Sequence, residues 1–289
     1  MRNSRSEYIE VRGLTYHCRV WGEQGAPLLF MIHGFQDVSA SWQFTVDALQ
    51  RDWHVIAPDW RGYGLTGWTA ADSYWYPDYL ADLDMLLEHY TPEFPARIVA
   101  HSMGGNICGL YAGIFPDRVS RFVNVEGIGM AGRRQDAAPR RFGKWIDEIR
   151  EGGAQRPYEN FEDFADRMQA ENPRLTSERA RFLAEQWGKQ EEDGTVVRRA
   201  DPKHTIVNPL PIPTADMLDC WREIAAPVLW VEGTKSRLAG QIARDPEGYA
   251  ERRSAIENLE VVRVEDAGHN IHHDQPEELA AIVEAFMGR

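Results

Sequence analysis

Short runs of apolar residues recur along the chain and alternate with longer stretches of helical periodicity. The runs at 27–33, 97–100 and 227–231 are continuously apolar through their centres, as is typical of central parallel strands covered on both faces. The alternation predicts an α/β fold with a mostly parallel, eight-stranded sheet, helices on both faces and right-handed crossovers. The candidate strands are 8–12, 15–21, 27–32, 54–58, 96–100, 119–125, 227–232 and 259–264.

The candidate helices carry apolar residues at helical spacing. Leu80, Leu83, Leu86 and Leu87 form one such stripe, which predicts a helix with one buried face. Pro276 suits the first turn of a final helix, where its missing N–H costs nothing. The predicted helices are 40–50, 75–90, 103–115, 245–257 and 276–287.

The stretch from 130 to 222 interrupts this rhythm. It is charged, aromatic and helix-like, and its one strand candidate is 195–199. Because it lies between two predicted sheet strands, we expect a helical cap (lid) inserted over the sheet edge. The predicted domains are therefore a core of 1–129 and 223–289 and a cap of 130–222. The cap holds Arg133, Arg134, Arg140 and Arg141, which form either a solvated helix face or a binding site for a carboxylate-bearing substrate.

Composition restricts the partners and the compartment. The 289 residues carry a net charge of −13, which argues against a nucleic-acid partner because phosphate binding needs a basic surface. Three widely spaced cysteines, Cys18, Cys108 and Cys220, indicate free thiols of a reducing compartment. The longest apolar run, 28–32, is too short to span a bilayer. We expect a cytoplasmic protein without a membrane partner, and leave open whether it forms a homodimer.

Residues 98–105, Ile-Val-Ala-His-Ser-Met-Gly-Gly, place Ser102 between a β-branched run and a helix-like stretch. This pattern is typical of a nucleophile elbow, a tight strand-to-helix turn that exposes a serine hydroxyl. Gly104 and Gly105 allow the close backbone approach that the turn requires. The common pattern has Gly where this chain has Ala100, the smallest departure that keeps a Cβ. A serine at an ordinary helix N-cap is the alternative reading, so the rest of the chain must decide.

Acyl transfer also needs a base and donors for an oxyanion. His269 is the candidate base, because it follows the last predicted strand, where a loop can reach across the strand ends. The predicted oxyanion donors are the backbone amides of Phe35, in the turn after the third strand, and Met103, at the helix N-terminus. His272 and His273 follow closely, but no separate ligand cluster accompanies them, so we expect them to line the pocket or cap the helix and predict no metal site.

Four motifs together resemble the α/β-hydrolase family: the oxyanion turn at 33–35, the loop at 59–64, the elbow at 101–105 and the histidine turn at 268–269. They fall in the family's order and spacing, and the match covers nearly the whole chain except the cap. The resemblance implies the family's eight-stranded sheet and a serine hydrolase. Relatives with an aspartate nucleophile, such as haloalkane dehalogenases and epoxide hydrolases, are disfavoured because Ser102 occupies that position.

The family's orienting acid usually lies just past the seventh strand, where this chain has Ser236. Serine cannot supply a charge. Glu126, at the end of the sixth strand, is the favoured substitute, since some haloalkane dehalogenases and the zearalenone lactonases are similar in keeping their acid there. Glu232, at the end of the seventh strand, is the alternative.

These residues predict a serine hydrolase of carboxylic esters or lactones, with a Ser-His-Glu triad and no cofactor. Aromatic residues of the cap and of 65–76 suggest an enclosed, mostly apolar pocket for a small-molecule ester or lactone, with short-to-medium acyl chains preferred over triglycerides. A C–C bond hydrolase, a thioesterase or a perhydrolase would use the same residues. A non-catalytic ligand-binding homologue is the alternative outside the enzymes, because Ser236 stands where an acid is expected.

Overall fold

The computed structural model describes residues 1–129 and 137–289. Within them, eight strands form one sheet and two further strands form a small hairpin. The sheet strands are β1 (Ser4–Val11), β2 (Leu14–Trp21), β3 (Leu28–Ile32), β4 (His54–Pro58), β5 (Ala96–His101), β6 (Val119–Val125), β9 (Val228–Gly233) and β10 (Leu259–Val264). The hairpin strands are β7 (Gly188–Gln190) and β8 (Val196–Arg198).

The sheet has the strand order β1-β2-β4-β3-β5-β6-β9-β10. The first two strands pair antiparallel with each other, β2 is antiparallel to β4, and the remaining neighbours are parallel. The prediction of a mostly parallel, eight-stranded sheet is therefore confirmed. Because β3, β5, β6, β9 and β10 run in the same direction, their carboxyl ends meet at one edge, where loops can bring distant residues together.

Helices cover both faces of the sheet. One core contains α2 and α3 residues such as Leu83 and Ile107, and a second core on the opposite face contains α1 and α11 residues such as Val46 and Val283. The helices are α1 (Gln43–Ala48), α2 (Tyr76–Tyr90), α3 (Met103–Ile114), α4 (Ala138–Glu151), α5 (Phe161–Glu171), α6 (Ser177–Trp187), α7 (Thr214–Arg222), α8 (Arg237–Arg244), α9 (Pro246–Ser254), α10 (Ile271–Asp274) and α11 (Pro276–Met287). None of the helices in these two ranges is long and apolar enough to cross a membrane.

The described residues between β6 and β9 carry four helices, α4 to α7, and the β7–β8 hairpin. Phe164, Leu183 and Val196 give this inserted segment a small apolar core of its own. The hairpin matches the strand candidate at 195–199. Arg133 and Arg134 lie outside the described residues. Arg140 is exposed on α4, and Arg141 donates from Nε to the carbonyl oxygen of Pro209 at 2.6 Å.

Candidate active site

Ser102 sits at the sharp turn between β5 and α3, in a strained backbone conformation with φ 50° and ψ −112°. The turn is possible because its neighbours lack bulk. A Cβ on Gly104 would lie 2.5 Å from the His33 carbonyl oxygen, and one on Gly105 would lie 2.3 Å from Asn124 Oδ1. Ala100 is fully buried in β5, so the strand accommodates its methyl group. The local backbone is that of a nucleophile elbow rather than an ordinary N-cap.

His269 lies in the loop between β10 and α10, and its Nε2 atom is 2.9 Å from Ser102 Oγ. Its Nδ1 atom is 3.1 Å from Glu126 Oε2. When Nδ1 carries the proton and donates it to the carboxylate, Nε2 presents a lone pair to the serine hydroxyl. The arrangement can therefore accept a proton from Ser102 Oγ.

Glu126 follows β6 with a left-handed backbone, φ 59°, and its side chain is completely buried. Its other carboxylate oxygen, Oε1, accepts the backbone N–H of Gly233 at 2.7 Å. Each oxygen thus has one donor, and the Gly233 amide fixes the carboxylate plane toward His269.

The alternative acid, Glu232, is engaged elsewhere. Its carboxylate accepts the Tyr249 hydroxyl at 2.6 Å and Arg263 Nε at 3.3 Å, and it lines a cavity that Ser102 does not reach. Burial and this carboxylate raise the pKa of Tyr249 to about 12, so the phenol remains a donor. Ser236 caps α8, accepting the N–H groups of Leu238 and Ala239 at 3.1 and 3.3 Å.

Phe35 and Met103 line one cavity together with Ser102. Met103 is the first residue of α3, so its amide has no partner inside the helix. Neither amide donates to an acceptor among the residues that the structure describes. Both are therefore available to an oxygen that becomes negatively charged beside Ser102.

Buried His33 fixes the turn that carries Phe35. Its Nε2 accepts the Trp60 backbone N–H at 2.9 Å, and its Nδ1 lies 2.8 Å from the Gly34 carbonyl oxygen. Burial lowers the pKa of His33 and keeps the ring neutral, as this pairing requires. The sequence analysis placed His33 in the turn but did not identify this positioning role.

A second group that the sequence analysis missed lies behind His269. His101 Nε2 is 2.9 Å from the backbone oxygen of His269, which anchors the catalytic loop to the end of β5. Burial, and secondarily His272 and His269, lower the pKa of His101 well below its ordinary value. The neighbouring residues in the sequence, Ser102 and Ala100, gave no signal of this contact.

Asp37, His101 and His272 form a buried cluster with ligand-type atoms within 4.8 Å of one another. His272 Nε2 is 3.3 Å from Asp37 Oδ2. A tetrahedral zinc ion with bonds of about 2.1 Å needs ligand atoms about 3.4 Å apart, so the cluster is wider than such a site. His273 lines the cavity beside Ser102, in line with one of the expectations for the two histidines.

Ser102 and Asn106 line two cavities. The smaller, of about 340 Å³, has an aromatic wall that includes Tyr74, Tyr76 and Tyr79. The larger, of about 720 Å³, is bordered by the inserted segment and by the loop and helix after β9. Both volumes suit small molecules.

The smaller cavity fits the expectation of an apolar pocket, because two of its tyrosines come from 65–76. The larger one does not, since four of its lining side chains are basic: Arg174, Arg198, Lys235 and Arg237. These residues come from three separate chain segments, so no local pattern in the sequence indicates that they meet. Arg140 and Arg141, which the sequence analysis singled out, are not among the described residues that line either cavity.

Comparison with known proteins places the chain. Residues 27–276 match the family model described as the alpha/beta hydrolase fold. A serine hydrolase-like protein of Danio rerio is 26% identical over 309 residues, covering 99% of this chain and 90% of the relative. Epoxide hydrolase 4 of Mus musculus is 29% identical over 121 residues, covering 41% of this chain and 33% of that protein.

Among solved structures, an esterase from Mycobacterium tuberculosis superimposes with a TM-score of 0.74 at 21% identity, covering 100% of this chain and 92% of the esterase. At that identity the likeness concerns the fold. The sheet order, the match across residues 27–276 and the full-length serine hydrolase-like relative agree with one another. The chain belongs to the α/β-hydrolase family and is a hydrolase.

Proposed function

We propose that the protein hydrolyses carboxylic esters or lactones through an acyl-enzyme intermediate, with Ser102 as nucleophile, His269 as general base and acid, and Glu126 as the orienting acid. The observation that carries the proposal is the continuous contact from Ser102 Oγ to His269 Nε2, 2.9 Å, and from His269 Nδ1 to Glu126 Oε2, 3.1 Å. These distances suit proton transfer and charge stabilisation without rearrangement.

In the first half-reaction, Ser102 Oγ attacks the ester carbonyl carbon while His269 Nε2 takes the hydroxyl proton. The carbonyl oxygen becomes negatively charged beside the amides of Phe35 and Met103, and each such donor contributes about 3 kcal/mol to lowering the barrier. The bond to the leaving alkoxide then breaks, and His269 returns the proton to it. Water repeats the sequence on the acyl-enzyme and releases the acid.

Glu126 is assigned in place of Glu232 because its carboxylate faces His269 and has no competing cation. Glu232 already accepts Tyr249 and Arg263. A buried carboxylate next to imidazole favours the Nδ1–H tautomer and stabilises the imidazolium that forms during reaction.

We further propose that 1–129 and 223–289 form the hydrolase core and that 130–222 form the cap. Met168, Leu175 and Trp187 of the inserted segment line the larger cavity opposite Ser102. The two cavities, of about 720 and 340 Å³, suit a short-to-medium substrate better than a triglyceride.

Epoxide hydrolysis is not proposed, although Epoxide hydrolase 4 of Mus musculus is similar over part of the chain. A carboxylate nucleophile that opens an epoxide leaves an ester, which water can cleave. A serine hydroxyl would leave an ether, which the same residues cannot hydrolyse. The nucleophile position of this chain therefore favours acyl substrates.

The test is a substrate panel of p-nitrophenyl butyrate, simple lactones, thioesters, peracid formation and an activated C–C substrate, each with Ser102→Ala as the blank. We expect Ser102-dependent turnover of esters or lactones. Turnover confined to thioesters, peracids or the C–C substrate would move the proposal to the corresponding alternative. Ligand binding without turnover of any substrate would favour a binding protein and refute the proposal.

A further inference from the structure

The larger cavity beside Ser102 carries a charge opposite to that of the whole protein. Four basic side chains line it, whereas its acidic lining residues are Glu126, which is engaged by His269, and Glu171. The chain as a whole has a net charge of −13. A basic cavity in an acidic protein concentrates positive potential at the site and attracts anions to it.

The four basic residues differ in their surroundings. Lys235 and Arg237 are exposed at the rim, and Arg174 Nε is 3.2 Å from the exposed carboxylate of Asp266. Arg198 is half-buried on β8, and the structure gives it no carboxylate partner within the described residues. Withdrawing a cation from water without a counter-charge is unfavourable.

Other groups hold the Arg198 guanidinium in place. Its Nε lies 3.2 Å from Tyr158 Oη, and the neighbouring Nη1 lies 3.5 Å from the Gln36 carbonyl oxygen. The guanidinium carbon stands 5.0 Å from the ring centre of Phe164 and 5.4 Å from that of Trp187. These contacts fix the group in a plane but leave N–H donors that no described protein group accepts.

The contact with Gln36 ties Arg198 to the turn that carries Phe35, so the guanidinium lies on the same side of the molecule as the proposed oxyanion donors. Ser102 separates this basic cavity from the aromatic one lined by Tyr74, Tyr76 and Tyr79. A substrate with an apolar group on one side of its scissile bond and an anion on the other would complement both.

We infer that the larger cavity binds a carboxylate on the acyl portion of the substrate, with Arg198 as its anchor. The natural substrates would then be half-esters of dicarboxylic acids, or lactones bearing a carboxylate, with the leaving group in the aromatic cavity. A planar guanidinium with unpaired donors can bind a carboxylate through two parallel hydrogen bonds. The inference rests on the proposed ester hydrolysis and adds the substrate class.

The experiment compares 4-nitrophenyl monoesters of glutarate, adipate, pimelate and suberate with the same compounds capped as methyl esters. The wild type should favour the free carboxylate in kcat/KM for at least one chain length. Arg198→Gln should lower kcat/KM for that carboxylate by roughly 10- to 100-fold, chiefly through KM, because one charged hydrogen-bonding pair is lost. Its activity on the capped ester should stay within about threefold.

Arg237→Gln is the matched control, because it removes the same charge at the exposed rim. Its effect should be small and should disappear in high salt, whereas the effect at half-buried Arg198 should persist. Arg198→Lys, which keeps the charge without the planar fork, should fall between wild type and Arg198→Gln.

A second measurement does not depend on turnover. In the Ser102→Ala background, calorimetry should detect tighter binding of the free-carboxylate ester than of the capped ester, and Arg198→Gln should abolish the difference. Equal binding of the two esters, or an equal loss of both with Arg198→Gln, would overturn the inference and give Arg198 a structural role. Ser102-dependent hydrolysis without carboxylate preference would refute this inference alone. Absence of hydrolysis and of serine labelling would refute the proposed function.

Discussion

The substitution Glu126→Gln gives the sharpest prediction, because the structure dictates how the new amide must sit. Gly233 donates its backbone N–H to Oε1 of the native carboxylate. An amide oxygen can replace Oε1, but an amide nitrogen cannot accept that hydrogen bond. The NH₂ group therefore takes the place of Oε2, which lies 3.1 Å from His269 Nδ1.

An NH₂ group in that position requires an acceptor, so His269 must present an unprotonated Nδ1 and carry its proton on Nε2. Nε2 faces Ser102 Oγ at 2.9 Å and can then no longer accept the hydroxyl proton. The equivalent change in a serine protease lowers kcat by about 10⁴-fold with the geometry intact. We expect a loss of roughly 10³- to 10⁴-fold, equivalent to about 4–5.5 kcal/mol in the barrier.

The assay is steady-state hydrolysis of the best ester of the panel, with circular dichroism and urea unfolding to show that the variant is folded. Glu232→Gln is the matched control, since it makes the same chemical change in a buried glutamate one strand away. It should leave kcat within about threefold and lower stability by about 1 kcal/mol through weaker bonding to Tyr249 and Arg263. Equal, small losses in the two variants would refute the assignment of Glu126.

Three further predictions concern groups around the site. His101→Leu removes the donor to the His269 carbonyl oxygen and should lower kcat by roughly 10- to 100-fold with KM little changed; His101→Gln, which can restore a donor, should recover part of it, and failure of that rescue would contradict the positioning role. Ser236→Ala removes the cap of α8 and should cost about 1 kcal/mol in urea unfolding with kcat unchanged; a large loss of kcat would instead place Ser236 in the mechanism. Burial lowers the pKa of His204 to about 3, so below its unfolded value of about 6.5 the unfolded chain binds a proton that the folded protein does not, and stability falls with pH; His204→Phe should reduce the loss of unfolding free energy between pH 7.5 and 5.5 by about 1.3 kcal/mol, and an unchanged loss would show that His204 is not responsible.

The sheet could be predicted from the sequence because its strands are written in continuous local patterns. The apolar runs that become β3, β5 and β9 need cover on both faces, which only a parallel sheet between helices provides. The helices that pack on this sheet show a stripe or a terminal proline. By contrast, α8 (Arg237–Arg244) was not predicted, because it is short, polar and buries one side chain, Leu238.

The site could be predicted where residue type and strand end coincide. Ser102, Glu126 and His269 each follow a strand, so the parallel arrangement brings them to one edge. The charge of the larger cavity could not be predicted, since Arg198 reaches the site through the hairpin of the inserted segment. Its neighbour Arg199 has the same residue type but donates to the Gly188 carbonyl oxygen. Only the tertiary structure distinguishes the two.

The central claim is that the environment of Ser102 activates its hydroxyl as a nucleophile. The most direct measurement is labelling of the native protein with a fluorophosphonate probe, followed by mass spectrometry of the intact chain and of its peptides. The account predicts one stoichiometric adduct on Ser102, absent in Ser102→Ala and much slower in Glu126→Gln. A folded wild-type protein that remains unlabelled, or that carries the adduct on another residue, would contradict it.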